Sequence, residues 1–178
     1  VDKNGIVNLA PYSFFNAVSY RPPIVMFSGS RGISSLTDTH KDSQRNIEET
    51  REFICNLTTW DTREAMNTTA AGVAHDVDEL SLAGLTAEPG QCVDVPRVAE
   101  APVHLECRYI KTTELPGDTP NDVYCVVFGQ VVGINIKDEF ITGDGEIDVG
   151  KMQPITRLGY QDYAVVNSDT IFTTQRPE

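Results

Sequence analysis

The residues best suited to chemistry in this 178-residue chain gather between positions 21 and 45. Arg21, Arg31, Lys41 and Arg45 stand there against only two carboxylates, Asp38 and Asp42. The whole chain, by contrast, carries 14 Lys and Arg against 26 Asp and Glu, a formal net charge of -12. Ser28, Ser30 and Ser43 add hydroxyls, and a helix starting near Ser43 offers unpaired backbone N–H groups. Cations, hydroxyls and a helix N-terminus together suit a phosphate ester. On composition alone an ordinary solvated loop is the simpler reading.

No catalytic constellation of side chains accompanies this segment. His40, His75 and His104 are scattered, none at metal-ligand spacing, and each reads as satisfied or exposed. Cys55, Cys92, Cys107 and Cys125 lie far apart without a C-x-x-C, so reduced, mostly buried thiols are expected rather than a zinc or redox pair. Asp138, Glu139, Asp144, Glu146 and Asp148 do not reproduce the EF-hand series and read as a solvated face. Neither G-x-G-x-x-G nor G-x-x-x-x-G-K-[ST] occurs, which excludes a dedicated Rossmann or P-loop nucleotide site. The acidic field opposes nucleic acid and anionic lipid alike. Without a membrane-length apolar run or a basic leader, the chain is expected to be cytoplasmic.

These residues need elements to position them. Length and a 40% hydrophobic content fit one domain spanning residues 1–178, with an arm over about 150–178. Asn4-Gly5 signals a turn, and residues 6–10 read as a strand whose hairpin partner would lie upstream of the chain. Residues 24–27 form a continuous apolar strand, and residues 28–40 a loop rich in Gly, Ser and Thr. Asp42 or Ser43 caps a helix over 43–51, and a strand follows over 52–58. Asp61-x-x-Glu64 resembles a capping box opening a helix over 61–74. Residues 78–102 are irregular, 103–109 alternate as a half-buried strand, and 123–136 read as one long strand or two, with Gly129 and Gly133 where it could bend. Phe14, Phe15 and Met26 are assigned to the core, and residues 173–178 to a loose tail. Short strands around two helices, without a βαβ rhythm, predict a mainly antiparallel barrel with peripheral helices.

Four blocks then stand in order: Asn8-Leu-Ala-Pro-Tyr-Ser-Phe-Phe-Asn-Ala-Val-Ser19, Arg21-Pro-Pro-Ile-Val-Met-Phe-Ser28, Lys41-Asp-Ser-Gln-Arg-Asn-Ile47 and Glu52-Phe-Ile-Cys-Asn-Leu57. Together they resemble the flavin reductase-like family of FMN-binding split barrels. Leu82-Ala-Gly-Leu85, Pro102-Val-His-Leu-Glu-Cys107, Val127-Phe-Gly-Gln-Val-Val-Gly133 and Arg157-Leu-Gly-Tyr-Gln-Asp-Tyr163 are similar to its longer branch. The resemblance implies a mainly β, Greek-key-like split barrel that binds FMN and forms a homodimer. Asn8, Ala10, Pro11, Tyr12 and Ser13 would then run along the isoalloxazine, supported by Asn16. Ser28 would face the ribityl or phosphate, and Lys41, Asp42, Ser43 and Asn46 would close over the phosphate.

The implied activity is hydride transfer from NADH or NADPH to the flavin and onward to an acceptor such as a partner monooxygenase. Fixed N–H donors would offset the charge developing on the ring. A flavin-binding electron carrier is the alternative, and a flavin-free module of the same fold a third. Tyr160 and Tyr163 could reach the cofactor or a neighbouring subunit, and interface packing is the simpler assignment. If the phosphate assignment holds, Lys41→Ala combined with Ser43→Ala weakens FMN affinity far more than it changes melting of the ligand-free protein. Titration and thermal melting of the double variant check this, and unchanged affinity removes both residues from the site.

Overall fold

The computed structural model describes residues 1–31, 41–119 and 122–177. His40 and most of the loop expected over 28–40 lie outside the described residues, as do Glu178 and the Arg31 side chain.

In chain order the elements are β1 (Phe14–Tyr20), β2 (Pro23–Arg31), α1 (Asp42–Thr50), β3 (Glu52–Asn56), α2 (Arg63–Thr68), α3 (Glu79–Leu82), β4 (Ala87–Glu88) and β5 (Arg97–Val98). β6 (Val103–Pro116), β7 (Val123–Ile136), a 3-10 turn (Asp138–Phe140), α4 (Val149–Met152), β8 (Ile155–Gly159) and β9 (Asp162–Val165) complete them. Five strands make one antiparallel sheet in the order β1-β2-β7-β6-β3. The chain crosses from β2 to β3 at the far edge, and the long β6–β7 hairpin fills the space between.

The fold is mainly β, as expected, but the sheet is not closed: β1 and β3 are its two edges. Among the described residues no helix is long and apolar enough to cross a membrane.

Inward positions of β2, β3, β6 and β7 supply one core cluster, in which Val25, Phe27, Phe53, Cys107 and Val127 pack with Ile47 of α1. Gly129 makes room for it, since a Cβ there would stand 2.3 Å from the Phe53 ring. The β6–β7 register slips by one residue at Glu106/Cys107 and again at Tyr109/Lys111, opposite Gly133 and Gly129. Such bulges bend and twist a pair locally. A second cluster, Leu80, Val98 and Ala101, belongs to the excursion 78–102 and packs against Val7 and Leu9.

Several expectations need correction. Residues 6–10 form no strand; side chains from elsewhere hold them, as described below. Asp42 is the first residue of α1 rather than its cap, and Lys41, at the cap position, makes no side-chain cap bond. α2 is less than half the predicted helix, because the Thr68 and Thr69 hydroxyls turn back onto the Glu64 and Met66 carbonyls. Phe14 is 68% exposed and Phe15 is exposed too, because β1 is an edge strand with almost no buried side. All four cysteines are free, and Cys92 is exposed rather than buried. His104 is buried, with Nε2 2.7 Å from the Val98 carbonyl, whereas its Nδ1 has no partner. Burial keeps its imidazole below the ordinary histidine range.

One carboxylate ties the excursion to the sheet. Glu106 on β6 is wholly buried, and its oxygens accept the N–H groups of Gln91, Cys92 and Val93 and the side-chain amide of Asn135. Burial alone would raise its pKa, but these donors together outweigh it and hold the carboxyl below its ordinary value. A carboxyl lowered in this way contributes stability that is complete above the ordinary value of 4.5 and is lost as the pH falls through that value toward the lowered one. Glu106→Gln is therefore expected to cost about 1.5–3 kcal/mol near neutral pH, the worth of hydrogen bonds to a charged group. That difference should be smaller at about pH 3 than near neutral pH. Urea unfolding at the two pH values checks both parts, and a pH-independent difference would be evidence against a charged anchor.

Candidate functional site

A cavity of about 470 Å³ is lined by members of both core clusters, a size typical of small-molecule sites. One wall is the extended segment before β1, where Asn8, Ala10, Pro11, Tyr12 and Ser13 all line it. Ser43, Asn46 and Ile47 of α1 add a second wall, and Phe53, Cys55 and Leu105 an apolar one. Leu80, Leu85 and Val98 close the side formed by the excursion, and Ile155, Arg157 and Tyr163 come from the β8–β9 hairpin.

Tyr12 forms the partition at one end. Its ring packs against Phe27 at a tilt of 55° with centroids 4.5 Å apart, and Phe27 meets Phe53 edge-on at 5.6 Å. Gly29 permits this approach, since a Cβ there would lie 2.9 Å from the Tyr12 ring. Lys41 Nζ stands 5.6 Å from the same ring, on a small adjoining cavity with Gly29, Ser30 and Gln44. Burial pushes the Tyr12 phenol up, the Asp42 and Glu79 charges act in the same direction, and the neighbouring Ser43 hydroxyl opposes them.

Two asparagines on the cavity wall differ in a telling way. Both ends of the Asn8 amide are used: Nδ2 donates to Glu79 at 3.2 and 3.3 Å, and Oδ1 accepts from Ser43 Oγ at 2.6 Å. Asn46 is only 3% exposed, yet neither its Nδ2 nor its Oδ1 has a protein partner. A buried amide without partners costs stability unless a bound molecule completes it.

The remaining expected site residues do not reach the large cavity. Ser28 alternates on β2 with Phe27 and Gly29, whose side faces Tyr12, and lines neither cavity. Asn16 is exposed on β1, paired with Met26. Asp42 turns to His75 Nδ1 at 2.8 Å and to the Arg45 guanidinium. Conversely, the wall contributed by β8–β9 was not expected. Tyr163, assigned to interface packing, lines the cavity and accepts a hydrogen bond from Arg157 Nη1 at 2.8 Å, and Tyr160 is fully out in solvent. Arg157 is the one cation among the described lining side chains. Glu79, which takes the Asn8 amide, belongs to the segment read as irregular, and no motif pointed to it.

Comparison with known proteins follows the same outline. The model of the flavin reductase like domain matches residues 2–155. An uncharacterized protein of Aquifex aeolicus is 35% identical over 164 residues, 92% of this chain and 79% of that one. The crystal structure of nitrilotriacetate monooxygenase component B from Bacillus cereus superposes with a TM-score of 0.87 at 31% identity, covering 98% of this chain and 83% of that one. The Pseudomonas fluorescens 2-nitrobenzoate 2-nitroreductase NbaA superposes with a TM-score of 0.82 at 26% identity, covering 99% and 81%. With a family match over most of its length and relatives of this similarity, the chain belongs to the flavin reductase-like domain family.

Proposed function

We propose that this protein is an FMN-dependent oxidoreductase of the NAD(P)H:flavin reductase type. The observation that carries the reading is the unpartnered Asn46 amide on the wall of a largely apolar cavity. A flavin offers what such a wall lacks: a flat apolar face for Phe53, Leu80 and Val98, and a polar edge able to both donate and accept toward Asn46. When bound, FMN supplies the redox chemistry, accepting two electrons from NADH or NADPH and giving them up to an acceptor.

The chain's own residues bind and orient. The backbone of Ala10 and Pro11 and the Ser13 side chain form the polar edge along the segment before β1. The first turn of α1, free of a side-chain cap, offers N–H groups to the phosphate, with Lys41 as the nearby cation. Asp42 acts indirectly, through its hold on His75 and Arg45. Asn16 and Ser28 shape β1 and β2 and are not assigned to the cofactor. Apolar side chains exclude water, and no side chain is required as acid or base.

The exposed apolar residues of β1, Phe14, Val18 and Tyr20, adjoin Phe15, which also lines the cavity. We assign this face to a second copy of the chain, which would cover the cavity's open side. The acceptor we favour is a partner monooxygenase or a small organic molecule. The similarity to a monooxygenase component B and to a nitroreductase supports that choice.

Two experiments test the proposal. In anaerobic stopped flow, NADH or NADPH should bleach bound FMN at a rate that saturates with nicotinamide concentration; slow, non-saturable bleaching would instead identify an electron carrier. Asn46→Leu should stabilise the ligand-free protein by about 1 kcal/mol, because an unsatisfied amide leaves the interior. It should also raise the FMN Kd at least about tenfold, or 1.4 kcal/mol. A variant that binds FMN as tightly as the wild type would remove Asn46 from the site.

A further inference from the structure

Glu79 is the first residue of α3, capped by Asp78, and only 6% exposed. Its two oxygens accept the Asn8 amide Nδ2 at 3.2 and 3.3 Å, and one also accepts the Leu9 N–H at 3.1 Å. A carboxylate only accepts, so the Asn8 amide must turn Nδ2 toward it and present Oδ1 on its other side. There Oδ1 lies 2.6 Å from Ser43 Oγ, and since Oδ1 also only accepts, the Ser43 hydroxyl spends its single proton on Asn8. Ser43 Oγ is left with lone pairs only. Each donor in this chain points the same way, from Ser43 through Asn8 to Glu79.

We propose that Glu79 is a positioning residue that fixes the direction of this three-member relay and so decides which groups of the site can donate to FMN. The proposal rests on the FMN reading above. With the relay in this direction, Ser43 cannot donate its hydroxyl to a phosphate; the anion falls to the backbone N–H groups of α1 and to Lys41. Ser43 can only accept, which suits a ligand hydroxyl or N–H rather than a phosphate oxygen. Glu79 also takes the Leu9 N–H, which sets the register in which Ala10 to Ser13 pass along the cavity.

Replacing the carboxylate by a carboxamide leaves one acceptor, which the Leu9 N–H claims, and turns a donor toward Asn8 where it met an acceptor. The Asn8 amide then turns over, Ser43 must accept from it, and the Ser43 proton swings into the cavity. Glu79→Gln is therefore expected to raise the Kd for oxidised FMN at least about tenfold. In a Ser43→Ala background, where there is no hydroxyl to redirect, the same change should alter Kd less than about twofold. The swap Asn8→Asp with Glu79→Gln restores an acceptor facing Ser43 and sets a second carboxylate oxygen to accept the amide introduced at position 79, and should recover most of the affinity.

FMN titration of the five proteins, with thermal melting of each, reads these outcomes. A purely structural Glu79 would lower the melting temperature, ignore the Ser43 background and show no recovery in the swap. Either an unchanged Kd in Glu79→Gln or an equal loss in the Ser43→Ala background overturns the proposal. If Glu79→Gln does not fold, the swap decides: affinity near that of the wild type supports the relay and a loss beyond tenfold overturns it. If the wild type itself binds no FMN, the functional reading has failed and the relay is read in ligand-free protein. The side-chain amide NMR signals of Asn8 should then shift on Glu79→Gln, and unmoved signals overturn it.

Discussion

A carboxylate can be buried only where N–H groups saturate it, and the cavity in this protein depends on that requirement being met twice. Glu106 gathers three successive backbone N–H groups of the excursion 78–102, and Glu79 gathers the Asn8 amide and the Leu9 N–H of the segment before β1. Neither of these walls belongs to the five-stranded sheet. Without a ladder partner, their backbone groups need other acceptors. The two glutamates supply acceptors and act as clamps, one holding the excursion against β6 and the other holding the leading segment against the excursion. The space left between these walls and the sheet is the cavity.

That arrangement explains which parts of the fold were legible in the residues. Val123 to Ile136 is read correctly as strand to both ends, because its inward positions alternate with outward ones and the alternation reports burial. The strand starting at Val103 is recognised for the same reason, although it runs to Pro116, seven residues past the predicted end, where the alternation fades into solvent. Alternation is silent on pairing. Residues 6–10 carry a strand-like run, yet their partners are side chains at positions 43 and 79 rather than another strand. Phe14 and Phe15 have core-type side chains on an edge strand, and nothing local distinguishes a core face from one that a partner would cover. Closure of the sheet is a property of its edges, which a single chain's periodicity does not encode.

The candidate site divides in the same way. Residue types in the segment 8–13 and in the first turn of α1 marked a ligand wall, and the structure brings seven of those side chains or backbones onto one cavity. Ser28 fails by one step of the pleat: its neighbours Phe27 and Gly29 face Tyr12, so it must face away. Asp42 fails because His75 and Arg45, 33 and 3 residues distant, compete for it. Glu79 was beyond reach of any local pattern, standing 71 residues from the amide it orients in a helix of four residues.

The charge balance then takes on a different meaning. An acidic chain of net charge -12 repels an anionic cofactor at long range, yet screening limits that repulsion to roughly 8–10 Å in salt. Binding is decided inside that distance, where the start of α1 brings together Lys41, an Asp42 carboxylate held by Arg45 and His75, a helix turn without a side-chain cap and a serine whose proton points away. Asn46 adds an amide that the fold leaves without a partner, so the polar groups of the wall are set in place before any ligand arrives. Donors and acceptors held in advance need no reorganisation when charge develops on a bound molecule, which is the condition under which fixed dipoles act most strongly. The stability lost to an unpaired Asn46 is thus what keeps that amide open to a ligand, and a better-satisfied interior would have a weaker claim on any ligand.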